Sequence, residues 1–375
     1  MKKCIVAAAF VAVFAVSAMA QSDTYAEAKQ VFDLYRIAVN GSLKMKYMEK
    51  ILQVAPTSEF GWFAKGYIED SKKNYRQGIA YYDKAIETNP KFADAYNNRG
   101  LNKYDLGDYG GALSDHSKAI EIDPEFSTAY NDRGVVKQKM QDFQGALGDY
   151  STAIKLNPSH SIAYDNRGLV KFRLKDYSGA LGDHSRAIEL TPNDPYPYYN
   201  RGVVRLTQKD NAGALQDFTA TLGLNPGFVK AYNDRGLVKF RLNDYYGALQ
   251  DYTKAIELDP QYALAYDNRG LVKFRLKDYT GALTDHTKAI EFAPSDPIIW
   301  NNRGLAKEFL KDYQGAIGDY DRAIQLDANY ALAFYNRGLA KISAGMKSEG
   351  CTDLNRAGQM GYMKAYQDIQ TMCGQ

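Results

Sequence analysis

Apolar, small and polar residues follow one another along this chain in an order that repeats every 34 residues. From Ala93 to Phe126 the order is a large Tyr96, a small Gly100, an apolar Leu101, then Ala112, His116, Ala119 and finally Pro124. The step is marked by Asn/Asp-Arg-Gly at Arg99-Gly100, Arg133-Gly134, Arg167-Gly168, Arg201-Gly202, Arg235-Gly236, Arg269-Gly270, Arg303-Gly304 and Arg337-Gly338. Prolines keep the same step at Pro56, Pro90, Pro124, Pro158, Pro192, Pro226, Pro260 and Pro294, so the period reaches back before the first tripeptide. A fixed period of this length means stacked supersecondary units. Each unit reads as two short helices.

Gly100 and Ala112, with equivalents such as Gly236 and Ala248, put minimal side chains where the two helices cross and let the backbones approach. Asp108, Asp142, Asp176, Asp244, Asp278 and Asp312 stand where the second helix should begin, so their carboxylates can cap free N–H groups. The proline then blocks continuation. Gly111, Gly145, Gly179, Gly213, Gly247, Gly281 and Gly315 fall inside that second helix, at roughly 1 kcal/mol each relative to alanine. Close packing against a neighbouring helix is the expected reason.

With Tyr96, Gly100, Ala112, His116, Ala119 and Pro124 at positions 4, 8, 20, 24, 27 and 32, the unit resembles the tetratricopeptide repeat. The resemblance covers 93–358. Trp62, Gly66, Gly78, Tyr82, Ala85 and Pro90 fit it as a divergent unit over 59–92. It implies an all-α, right-handed α-α superhelical solenoid of about nine 34-residue helix-turn-helix repeats with capping helices at its ends. The expected boundaries are a signal peptide at 1–20, a helical cap or degenerate repeat at 21–58, a divergent repeat at 59–92, eight repeats at 93–361 and a C-terminal capping helix at 362–375, helical from Tyr362 to Met372.

The first twenty residues follow other rules. Lys2 and Lys3 precede an apolar run from Ile5 to Val16, and Ala18-Met19-Ala20 supplies small residues for cleavage, so a secretory signal peptide is expected. The mature chain should be periplasmic or secreted, with no transmembrane anchor after cleavage. Loss of Lys2 and Lys3 takes the 47 basic residues to 45, against 44 acidic ones. A chain so balanced lacks the charge that supplies most non-specific affinity for nucleic acid, and none is expected as a partner. After cleavage Cys351 and Cys373 remain, an even number in an oxidising compartment. They should form a disulfide that staples the terminal helix to the last repeat.

Nothing points to catalysis, a metal or a cofactor. His116, His184 and His286 share position 24 with Tyr150, Phe218, Tyr252 and Tyr320, which favours packing. Position 7 is always Arg, position 11 is Lys or Arg, and position 23 is always Asp. This departs from the family pattern and suggests a ladder of ion pairs that fixes repeat register.

The resemblance also implies that the first helix of each unit lines a concave groove through positions 2, 5, 9, 12 and 13. The groove should present Asn97, Asn131, Asp165, Tyr199, Asn233, Asp267 and Asn301 at position 5. At position 9 it should present Leu101, Val135, Leu169, Leu237, Leu271 and Leu305. Phe172-Arg173, Phe240-Arg241 and Phe274-Arg275 follow at positions 12 and 13. Apolar contact, amide hydrogen bonding and guanidinium charge together suit a peptide or helix of a protein partner. Apolar side chains at every position 9 argue against the C-terminal carboxylate clamp of some family members. The expected function is a non-enzymatic interaction scaffold or adaptor of the cell envelope. The alternative is a structural spacer that self-assembles through its ends or convex face, and homo-oligomerisation stays open.

Overall fold

A computed structural model describes residues 22–38 and 40–374, so the signal peptide expected at 1–20 lies outside the described residues. Every described element is helical. The chain forms two compact units, one running to Pro192 and the other from Asn193.

The first unit holds α1 (22–37), α2 (Gly41–Val54) and four helical hairpins: α3 (Glu59–Ser71) with α4 (Tyr75–Thr88), α5 (Ala93–Asp105) with α6 (Tyr109–Ile122), α7 (Ser127–Lys139) with α8 (Phe143–Leu156), and α9 (Ser161–Arg173) with α10 (Tyr177–Leu190). The second holds five more: α11 (Pro195–Thr207) with α12 (Asn211–Leu224), α13 (Val229–Arg241) with α14 (Tyr245–Leu258), α15 (Ala263–Arg275) with α16 (Tyr279–Phe292), α17 (Pro297–Phe309) with α18 (Tyr313–Leu326), and α19 (Ala331–Ser343) with α20 (Lys347–Gln359). It ends with α21 (Met363–Asp368) and a π-helical turn, Ile369–Cys373. The terminal element is therefore a short α-helix followed by a wider turn. Tyr362 is its N-cap.

Each hairpin is fixed by the same local chemistry. The first helix ends in a residue with left-handed backbone, φ 84° at Gly107 and 88° at Gly345, but 61–66° at Lys73, Gln141, Lys175, Lys209, Asn243, Lys277 and Lys311. Asn74 and Met346 give α4 and α20 no side-chain cap, but in every hairpin between them the Asp that follows caps the second helix. Its carboxylate accepts from the glycine N–H three residues on, at 2.8–2.9 Å, in all seven repeats from Asp108 to Asp312. Asp210 does so without an aromatic after it. This geometry also explains the glycines inside the second helix. A Cβ on Gly111 or Gly247 would fall inside the capping carboxylate. The expectation of a neighbouring helix is thus corrected: what fills the space is the cap itself, helped at Gly179 and Gly213 by the Lys171 and Arg205 stems, 2.9 Å from such a Cβ.

Where the two helices cross, position 8 has no room. A Cβ on Gly236 would come 2.8 Å from the Tyr252 ring, and one on Gly270 would come 2.7 Å from His286. Beside this crossing lies the charge ladder. In the repeat of α13 and α14, Arg235 Nε and Nη2 donate to the two oxygens of Asp251 at 2.9 and 2.6 Å, and Lys239 Nζ lies 2.8 Å from Oδ2. Equivalent pairs run from Arg99 with Asp115 to Arg337 with Asp353. The third guanidinium nitrogen reaches back one repeat, as from Arg99 to Asp83 at 2.6 Å and from Arg269 to Thr253 at 3.2 Å. Arg99, Arg133, Arg167, Arg235, Arg269 and Arg337 therefore each tie their own hairpin to the preceding one, and bidentate pairing sets orientation as well as energy. These aspartates are buried while their cations keep partial access to water.

Candidate functional site

The candidate site is the face made by the first helices, taken in each unit by itself. Three positions of that helix, 5, 9 and 12, fall one after another along one stripe. They differ sharply in exposure.

Position 5 is interior. Asn97, Asn131, Asn233, Asp267 and Asn301 are 2–5% exposed, so these residues, expected to supply amide contacts to a partner, are taken up within the stack. Each bonds to position 6 of the next repeat. Asn97 Nδ2 donates to Asp132 at 2.9 Å, Asn166 to Asn131 at 3.1 Å, Asn268 to Asn233 at 2.9 Å, Asn302 to Asp267 at 3.2 Å and Asn336 to Asn301 at 2.9 Å. Tyr199, half-buried, enters the same ladder by donating to Asp234 at 2.8 Å, and burial together with that carboxylate raises its pKa. Asp165 lies 2.7 Å from His184 Nδ1. The sequence alone does not reveal the ladder, because position 6 reads there only as the first letter of the tripeptide. The signal was present, since Asn or Asp fills position 6 in all eight repeats.

The position-24 histidines complete this polar layer. His116 Nδ1 donates to Asn97 Oδ1 at 2.8 Å, and His286 Nδ1 lies 2.8 Å from Asp267. All three rings are fully buried, and among the described residues Nε2 of His116, His184 and His286 has no hydrogen-bond partner. Burial pushes His116 down to about 4, with Arg133 acting the same way and Asp115 against it.

Positions 9, 12 and 13 stay accessible. In the first unit Leu101 is exposed, and Val135, Leu169 and Phe172 are half-buried. Phe172 packs against Tyr177 at 5.8 Å between centroids, and the exposed Arg173 sits 5.9 Å from the Phe143 ring. A cavity of about 350 Å³ opens here beside Val135, Gln138, Asn166 and Arg173. In the second unit Leu237, Leu271 and Leu305 are half-buried, and so are Phe240 and Phe274. Phe240 lies 5.7 Å from Tyr245, while Phe274 lies 5.2 Å from Tyr279 and 4.9 Å from Phe309 of the next repeat. Arg241 and Arg275 project from this aromatic layer, exposed, and among the described residues neither has a carboxylate in ion-pair range. Arg241 Nη1 donates to the Leu206 carbonyl, at 3.4 Å.

Cys351 and Cys373 are joined by a disulfide, with Cα atoms 5.9 Å apart. Among the described residues no group of His, Cys, Asp and Glu side chains has the arrangement of a metal site, and no helix is long and apolar enough to cross a membrane.

Tetratricopeptide repeat models match residues 61–92, 93–126, 131–195 and 229–262, and a further repeat model of that kind matches 310–345, together more than half of the chain. No curated protein matches the chain. Among solved structures, the APC/C hetero-tetramer Cut9-Hcn1 is similar at TM-score 0.54 and 14% identity, over 88% of this chain and 82% of that one. A tetratricopeptide repeat protein from Parabacteroides merdae is similar at TM-score 0.50 and 19% identity, over 66% and 98%. Pseudomonas aeruginosa pilF is similar at TM-score 0.50 and 24% identity, over 54% and 92%. At such identities the likeness speaks to the fold.

Proposed function

Because this chain belongs to the tetratricopeptide repeat family, we propose that it is a non-enzymatic scaffold that binds a peptide or helix of a partner protein along the face of its first helices. One observation carries the reading. The polar columns that would otherwise invite chemistry are spent inside the stack, while Phe240, Arg241, Phe274, Arg275 and Phe309 stay accessible and, among the described residues, neither arginine has a carboxylate partner. Aromatics beside a guanidinium that lacks a carboxylate partner are the composition of a binding hot spot. A partner with carboxylates and apolar side chains matches it.

Export to the cell envelope belongs to the same reading. The charged start, apolar run and Ala18-Met19-Ala20 are the features of a cleavable leader, and a disulfide is the bond an oxidising compartment favours.

Charge reversal at Arg173, Arg241 and Arg275 tests the proposal. These side chains are exposed, so the variant should keep its thermal stability. A photoreactive residue at Phe240 should capture one dominant partner in the native cells, and the triple reversal should abolish that capture. Capture that survives the reversal, or cross-links only to further copies of this chain, would favour the spacer acting through its ends or convex face.

A further inference from the structure

The first unit contains a cavity that α1 and α2 wall on one side. Phe32 buries against Phe60, Phe63 and Phe92, and Tyr35 against Phe63 and Tyr67. This aromatic anchor brings the end of α1 over α5 and the start of α7. There Tyr35, Tyr67, Phe126, Asp94, Asn97 and Asp132 surround about 280 Å³ of space. That volume lies near the lower end of ligand pockets, which run from roughly 300 Å³, and suits one long side chain.

Two observations define what would fill it. The first is a cation already seated at its rim: Arg36 lies 3.6 Å from Asp94 and 3.5 Å from Asp123, with its guanidinium 5.5 Å from the Phe126 ring centroid. The second is a carboxylate on the opposite wall with no cation. Asp132 accepts from the amides of Asn97 at 2.9 Å and Asn131 at 3.1 Å, and among the described residues it has no ion-pair partner. Burial holds Asp132 up at about 6, because two amides do not replace the water lost from a carboxylate. Lys44, the other cation nearby, rests over the Tyr35 ring at 5.3 Å.

We infer that this cavity receives an arginine or lysine side chain of a partner protein, its head group paired with Asp132 and its stem lying against Tyr35, Tyr67 and Phe126. The inference rests on the reading of the first-helix face as a partner-binding surface and adds a subsite of opposite charge to Arg241 and Arg275. An acidic side chain would meet Asp94 and Asp132. An apolar one would fill the space and leave Asp132 uncompensated.

The test titrates the full chain with N-acetylarginine amide, N-acetylnorleucine amide or N-acetylglutamate amide and follows backbone amide resonances. Arginine amide should give saturable shifts at Tyr67, Leu101 and Thr128, and the other two should not. Asp132→Asn should weaken that binding at least about tenfold. Asn already fills position 6 at Asn166, Asn268 and Asn302, so this variant keeps the fold. Equal shifts with norleucine amide, shifts scattered over the surface, or unchanged affinity in Asp132→Asn would each overturn the inference. Arg241 and Arg275 play no part in this titration, so failure of the partner-binding reading would appear in their reversal instead.

Discussion

The two ends of the chain solve one problem by different means. A terminal repeat lacks a neighbour and must still cover the apolar face it would have stacked on another unit. At the N-terminal end the cover is side-chain mass: Ala28, Val31, Phe32 and Tyr35 of α1 join Met48, Ile51, Phe60, Phe63 and Phe92 in one buried cluster. At the C-terminal end the cluster is small, with Tyr335, Leu354, Ala357, Ala365 and Ile369, and the cover is α21 with its turn. There Asp368 accepts from Tyr335 at 2.6 Å, and the Cys351–Cys373 bond holds the segment down. A six-residue helix cannot stand alone, since isolated helices shorter than roughly 12 residues are marginal in water. Where apolar area is scarce, a covalent link substitutes for it.

Breaking the N-terminal cover should have the largest effect. Phe32→Ala removes a ring that touches four other aromatics, and a cost of about 3–5 kcal/mol is expected for a buried phenylalanine. Hydrogen exchange should show protection lost from α1 to α4 while α13 to α20 keep theirs. Uniform loss along the chain would mean that the cluster is not a separate end structure. The C-terminal counterpart is Cys351→Ser with Cys373→Ser. A link between residues 22 apart in sequence is worth up to about 3 kcal/mol by loop-closure entropy. Faster exchange should be confined to α20, α21 and the final turn, and an unchanged exchange pattern would show that Tyr335 and Ile369 hold the cap by themselves.

The contrast between interior and ends also shows what could be read without coordinates. The hairpins were legible because Gly at position 8, Asp at 16 and Pro at 32 act locally and recur, Gly in all eight repeats, Asp in seven and Pro in six. The ion-pair ladder was legible for the same reason. Each letter of Asn/Asp-Arg-Gly has its own use: Asn268 bonds to Asn233 of the preceding repeat, Arg269 pairs with Asp285, and Gly270 admits the His286 ring. Burial of position 5 was not legible. A helical stripe places Asn97 beside Leu101, but only the next repeat, which supplies Asp132, makes it interior. The pocket at Asp132 was hidden for a related reason. It depends on where Phe32 carries α1, and nothing in the regular period specifies that.

Acid should sharpen the comparison by loosening the first unit. His116 faces the neutral Asn97, whereas His286 faces the carboxylate of Asp267. The folded chain holds His116 near 4 against an ordinary 6.5, so the unfolded chain binds more protons between those values. The stability that neutral His116 contributes is therefore fully present above about pH 6.5 and is lost as pH falls towards 4. The total is about 3 kcal/mol at 1.36 kcal/mol per pKa unit. Asp94 and Asp132, both raised to about 6 by burial, act in the opposite sense over part of this range. The measurement is consequently a difference between the native chain and His116→Phe, which places at 116 the side chain that Phe218 supplies in another repeat. Stability of the native chain should fall more steeply from pH 7 to pH 4.5 than that of the variant. Parallel slopes would show that His116 charges in the fold without cost.

The smallest effect concerns the turn inside each hairpin, where glycine and non-glycine residues take the same left-handed backbone. The last full repeat turns at Gly345 with φ 88°, while the repeat of α15 and α16 turns at Lys277 with φ 66°. A side chain in left-handed backbone crowds the following carbonyl, at roughly 1–2 kcal/mol, and glycine escapes that cost. Glycine also loses more freedom on folding, which returns part of the gain. Lys277 is exposed and its backbone N–H donates to the Phe274 carbonyl at 2.9 Å, a bond glycine keeps. Lys277→Gly should accordingly raise stability by up to about 1 kcal/mol, read as a higher midpoint of denaturation with an unchanged slope. A lower midpoint would mean that the lysine is held in that turn by interactions worth more than the strain.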